Sequence, residues 1–103
     1  MRRVVLESPL AGEIDRNLAY AWDALADSLR RGEAPLASHL LYTQVLSDAI
    51  SGERRMGILA GHAWVEVAEA LVVYSDYGIS DGMKLGIDVA RAYDIPIEYR
   101  KIK

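Results

Sequence analysis

Residues 70–74 read Ala-Leu-Val-Val-Tyr, an unbroken apolar run. Successive side chains on a strand point to opposite faces, so a half-exposed strand alternates apolar and polar residues. An unbroken run instead fits a strand covered on both sides, as in a parallel sheet between two helical layers. Parallel neighbours need long crossovers, and the rest of the sequence supplies them. Val4 to Leu6 is a short β-rich run, ended by Ser8-Pro9 and Gly12. Leu18, Trp22, Leu25 and Leu29 fall at helical spacing and predict a helix over 15–31, with Asp15 as N-cap and Gly32 as its terminating glycine. Ala34 to Ala37 is a weaker strand with Pro35 at its start, and Ser38 to Gln44 reads as a functional loop or short helical turn. A second long helix is predicted over 53–69, with Met56, Leu59, Ala60, Ala63, Trp64 and Val67 as its apolar face. A third covers 82–93, and a last strand covers 95–99.

The order is βαβαβαβ. It predicts an α/β fold, a small Rossmann-like three-layer sandwich of about four parallel strands with helices on both faces and right-handed crossovers. No linker, repeat or low-complexity tract interrupts residues 1–103, so the chain reads as a single domain. In such folds ligands bind at the carboxyl ends of the strands. That rule puts Glu7 to Gly12, Ser38 to Gln44 and Asp76 to Met83 on one rim.

Composition narrows the partners. The net charge is −3, which argues against a general nucleic-acid binder, since phosphate contacts need a basic excess. The pairs Arg30-Arg31, Arg54-Arg55 and Arg100-Lys101 read as solvated helix ends and termini. There is no cysteine, which excludes disulfides and thiolate metal sites and fits a reducing compartment. No signal-peptide core or membrane span is recognisable, so a cytoplasmic location away from membranes is expected. A chain this short buries a modest core, so a homodimer or higher homo-oligomer is expected. Trp22 and Trp64 read as core or interface anchors.

The three rim segments hold the candidate site residues. Glu7 ends the first strand; it reads as an exposed strand-end charge, as a carboxylate that binds a ribose hydroxyl or joins a structural network, or as a relocated acid/base group. Ser8, Pro9 and Gly12 form a strand-to-helix turn whose backbone amides suit a phosphate or ribose. Ser38, His39, Tyr42 and Gln44 combine hydrogen-bonding groups with an aromatic ring, a mix suited to a nucleobase. Asp76, Gly78, Ser80, Asp81, Gly82 and Met83 make a glycine-rich turn between the buried strand and the third helix. Asp76 is placed to orient a sugar hydroxyl, Ser80 and Gly82 to meet a phosphate, and Asp81 to cap the helix or act as an acid. His62 sits on another helix, far from His39, so no zinc site is expected, and nothing in the sequence calls for a cofactor.

Three of these segments together resemble the nucleoside 2-deoxyribosyltransferase-like superfamily. Val5-Leu6-Glu7-Ser8-Pro9-Leu10-Ala11-Gly12, with Asn17 after it, is similar to that group's Tyr-Ile-Ala-Gly-Pro-Met-Ser-Gly opening and its following asparagine. Ser80-Asp81-Gly82-Met83 resembles its Ser-x-Gly-Ala turn, and Ala90 to Pro96 resembles its Ala-x-x-x-Gly-Lys-Pro ending. The resemblance implies a nucleoside- or nucleotide-like ligand, a brace of the first loop by Asn17, and a glutamate on the third helix that attacks the sugar. Counting forward from Gly82 and back from Pro96 places that glutamate at Gly86; another register gives Lys84. Neither forms a glycosyl ester as a carboxylate does. Three expectations follow: a protein that binds a nucleoside- or nucleotide-derived molecule, to sense or sequester it; an N-glycosidase or deoxyribosyltransferase using the relocated carboxylates Glu7, Asp76 or Asp81; or a structural, oligomer-building protein.

Overall fold

The computed structural model describes residues 1–103. Four strands, β1 (Arg2–Glu7), β2 (Glu33–Leu36), β3 (Ala70–Tyr74) and β4 (Ile97–Arg100), form one sheet in the order β2-β1-β3-β4. Every pairing is parallel, with Val5 opposite Leu36 on one side of β1 and Glu7 opposite Val73 on the other. The helices are α1 (Ile14–Arg30), the short α2 (Ser38–Leu41), α3 (Ser51–Val65) and α4 (Asp81–Ala92). A 3-10 turn at Tyr42–Gln44 follows α2. The α/β class and the all-parallel four-stranded sheet are those the sequence predicts. No helix is long and apolar enough to cross a membrane.

The period of two along each strand divides the core. Val4, Leu6, Ala70, Val72 and Tyr74 face α1, where they pack with Tyr20, Ala21 and Ala24. Val5, Leu71 and Val73 face the opposite layer, with Val65 of α3 and Met83, Ile87 and Ala90 of α4. All five residues of β3 are buried, which explains its unbroken apolar run. The same parity sends Glu7, two residues beyond Val5, toward α4 rather than toward α1.

Both long helices present different faces from those predicted. In α1 the buried residues are Asn17, Tyr20, Ala21, Ala24 and Ser28, while Trp22 and Leu29 are more than half exposed. Leu18 and Leu25 only flank the core. Small residues at the contact let the helix lie close to the sheet, and the buried polar groups are all partnered. Asn17 Nδ2 donates to Leu10 O and Ala11 O, Tyr20 OH donates to Asp76 Oδ2, and Ser28 Oγ donates to Glu33 Oε1. In α3, Gly61 and Val65 are buried, whereas Met56, Leu59 and Trp64 are exposed, as is Val67, which the helix ends short of. A side chain at position 61 would bring a Cβ to 2.6 Å from Ser38 Oγ, so the glycine sets how closely α3 approaches α2. With both tryptophans exposed, neither anchors the core.

The boundaries shift as well. Glu13, not Asp15, occupies the N-cap of α1, and no side chain caps it. Gly32 follows the helix at φ +81°, as predicted for a terminating glycine. Pro35 lies inside β2, an edge strand, where its missing N–H costs no sheet hydrogen bond.

One buried ion-pair network ties the sheet to the last turns of α1. Arg100 reaches both carboxylate oxygens of Glu33, at 2.8 and 2.7 Å. Ser28 Oγ and Arg2 Nη2 donate to the same carboxylate. Arg100 Nη1 also donates to Tyr74 OH, whose own proton goes to Asp27 Oδ2. The Arg100 guanidinium holds the Glu33 carboxyl down to about 2. Arg100-Lys101 is therefore only half a solvated pair.

Candidate functional site

Chain order in the sheet reverses between β1 and β3: β1 leads outward to β2, and β3 outward to β4. Loops leaving neighbouring strands in opposite directions open a crevice at their carboxyl ends. A cavity of about 410 Å³ lies there. That volume falls within the roughly 300–1,000 Å³ of small-molecule sites.

Glu7 ends β1 and lines the cavity. Its strand parity drives the carboxyl against α4, and Gly86 makes the room. A Cβ at position 86 would stand 2.6 Å from Glu7 Oε1 and 2.9 Å from its Cδ. At the position where the sequence resemblance counts a helix glutamate, the absence of a side chain leaves room for a carboxyl that arrives from the strand instead. No hydrogen bond or ion pair within the chain engages this carboxyl, and burial pushes it up to about 8. Glu7 is therefore largely a neutral acid at pH 7, able to donate one hydrogen bond and accept others. It is not an exposed strand-end charge.

Ser8, the next residue, is buried and lies 2.7 Å through Oγ from His39 Nε2. His39 sits in the first turn of α2, and burial lowers it to about 4, so the ring is neutral at pH 7. Ser38 and Tyr42 also line the cavity, and Tyr42 OH is held by Trp64 Nε1 at 2.9 Å. On the opposite wall, Ser80 is the N-cap of α4; its Oγ accepts from Met83 N at 3.3 Å. Ser80, Asp81, Gly82 and Met83 all reach the cavity. Asp81 is not the cap; it is fully exposed and stands 3.6 Å from Lys84 Nζ.

Other predicted site residues lie outside this lining. Asp76 accepts from Tyr20 OH at 2.6 Å and from the backbone N–H groups of Ile102 and Lys103, both at 2.9 Å. Its carboxylate thus fastens the last residues of the chain to β3. Asn17 braces the loop through two carbonyls, as the resemblance implies, without reaching the cavity. Gln44 turns back to Leu40 O, and Pro9, Gly12 and Gly78 shape turns beyond the lining.

The third wall belongs to α3 and its preceding loop, which no motif in the sequence marks. Asp48, Glu53, Arg54, Gly57, Ile58 and His62 all line the cavity. His62 shares the cavity with His39 although the two are far apart in sequence, and burial lowers its pKa too. Arg54, Ile58 and His62 are spaced four apart, one helix face, and that spacing is readable once the helix is known to face inward. The missing information was which face of α3 turns to the site.

A family model described as "Domain of unknown function (DUF7768)" matches residues 2–100. No curated protein matches the chain.

Proposed function

The chain belongs to the DUF7768 family, and for this member we propose that it binds a nucleoside- or nucleotide-derived small molecule in the cavity at the β1/β3 switch point. One observation carries the reading: the Glu7 carboxyl is free of partners within the chain and opens onto a cavity whose other walls offer Ser8, His39, Tyr42 and Ser80. A half-buried carboxyl with no partner in the chain costs stability unless a ligand or solvent satisfies it. The resemblance of the first loop and of the α4 turn to nucleoside-processing proteins supplies the ligand class. Thermal denaturation with common nucleosides and nucleotides at millimolar concentration tests it. A ligand at about 100 times its Kd adds about 2.7 kcal/mol, which raises the Tm by several degrees. No shift with any of them refutes the reading.

The relation of Glu7 to Gly86 favours a second reading, cleavage of an N-glycosidic bond. A half-buried carboxylic acid that is largely neutral at pH 7 is suited to protonate a departing base. Chromatography of free base after incubation with deoxynucleosides tests this. Release that survives Glu7→Gln excludes Glu7 as the acid.

A further inference from the structure

The charges around the cavity discriminate between ligands that the nucleoside reading leaves together. Besides Glu7, the lining carries three carboxyl groups, Asp48, Glu53 and Asp81, and a single guanidinium, Arg54. Asp81 stands at the first turn of α4, where an anion would otherwise find the helix amides. One of those amides, Met83 N, is already taken by Ser80 Oγ, and the Ser80 N–H points to Met83 Sδ at 3.4 Å. Two of the turn's amides are thus engaged within the turn, and the Asp81 carboxylate stands beside those that remain. Three carboxylates against one guanidinium leave the lining net negative, which disfavours a phosphate, although Asp48 and Asp81 are exposed and their repulsion is screened by solvent. Deeper in, the polar groups are uncharged: His39 is neutral, its Nε2 paired with Ser8 Oγ.

Resting on the nucleoside reading, we propose that the cavity selects an uncharged nucleoside or free base over its phosphorylated form, with the Glu7 carboxyl donating a hydrogen bond to an acceptor on the ligand. The acceptor chemistry follows from what the floor presents. A protonated carboxyl needs an acceptor within reach, and base ring nitrogens and carbonyl oxygens are such acceptors. The other titratable groups that line the cavity are His39 on α2, Tyr42 in the 3-10 turn, Asp48 before α3, Glu53, Arg54 and His62 on α3, and Asp81 on α4. Burial keeps both histidines below their ordinary pKa, so they stay neutral above pH 7. The part of any affinity loss between pH 7 and pH 9.5 that Glu7→Gln abolishes therefore reports Glu7, which burial raises to about 8.

Calorimetric titration of the full chain with the four common deoxynucleosides, their free bases and their 5′-monophosphates tests this. At least one nucleoside or base is expected to bind, its monophosphate at least tenfold more weakly. Affinity of the wild type is expected to fall at least tenfold from pH 7 to pH 9.5. Glu7→Gln, which keeps an N–H donor, should bind within a few-fold of wild type at pH 7 and lose that pH dependence. Glu7→Ala should lose at least tenfold while keeping its circular dichroism. Monophosphates that bind as tightly as nucleosides overturn the selectivity while leaving nucleoside binding intact. A Glu7→Ala protein with unchanged affinity overturns the donor role. Silence from the entire panel overturns both this inference and the reading beneath it.

Discussion

Replacing Glu7 with glutamine changes one property of the site, its ability to ionise, and the structure fixes what that does to stability. Burial raises the Glu7 carboxyl from the ordinary 4.5 to about 8. A tenfold difference in an ionisation equilibrium corresponds to about 1.4 kcal/mol. Below the unfolded value both states hold the proton, and Glu7 imposes no penalty. Between about pH 5 and pH 8 the unfolded chain releases the proton while the folded chain keeps it, so stability falls with rising pH. The loss reaches about 3 kcal/mol at pH 7 and about 4 kcal/mol at pH 8, a large share of the roughly 5–15 kcal/mol typical of a domain. Glutamine has the same shape and cannot ionise, so it escapes this loss. His39 and His62 act in the other direction: their lowered pKa values cost stability as pH falls below the ordinary 6.5. They are common to both proteins and cancel in the difference. Urea unfolding of wild type and Glu7→Gln at a series of pH values is the assay. The difference in stability should widen with pH, from near zero at about pH 4.5 to about 4 kcal/mol at about pH 8 in favour of glutamine. A difference that is flat with pH refutes the claim that the carboxyl is unpartnered and desolvated enough to stay protonated.

Gly86→Ala places a methyl 2.6 Å from Glu7 Oε1, but the obstructed group is the end of a flexible side chain that can swing away. Alanine also gains about 1 kcal/mol of helix propensity over glycine. The variant should fold at least as stably as wild type within about 1 kcal/mol, while NMR titration of the Glu7 carboxyl shows its pKa falling from about 8 toward 4.5. An unchanged pKa would mean that Gly86 does not hold the carboxyl in place. Glu33→Ala leaves the buried Arg100 guanidinium without its bidentate partner and should cost about 3–5 kcal/mol in urea unfolding. A loss below about 1 kcal/mol would show the network to be solvent-screened. Because Arg100 holds Glu33 down to about 2, that contribution is present above about pH 4.5 and disappears as pH falls through 2. Ser80→Ala removes the N-cap of α4 and should lower stability by about 1 kcal/mol, read as a drop in Tm. A Tm equal to wild type would show that the Met83 amide finds another acceptor.

Strand–helix alternation and the apolar run of β3 are local properties of the chain, and they determined the class, the parallel sheet and the rim on which the cavity lies. Glycines and prolines at the element ends did the same for approximate boundaries, as Gly32 shows. The faces of α1 and α3 were not decided locally. Each helix carries apolar residues on more than one stripe, and a period of 3.6 selects a stripe only when the others are polar. Packing chose the stripe with small residues, Ala21 and Ala24 in α1 and Gly61 in α3, because close approach to the sheet and to α2 buries more than an exposed tryptophan forfeits. The turn of α3 then brought Arg54, Ile58 and His62 into the cavity, and Asp76 was drawn out of it to hold the chain's last residues. Glu7 joins the two levels. Its place at the end of a strand is written in the sequence, and so is the parity that turns it toward the fourth helix. Its neutral, unpartnered state comes from tertiary structure alone, because a pKa depends on which surfaces close over a carboxyl, and residue 86 lies next to residue 7 only after the sheet has formed.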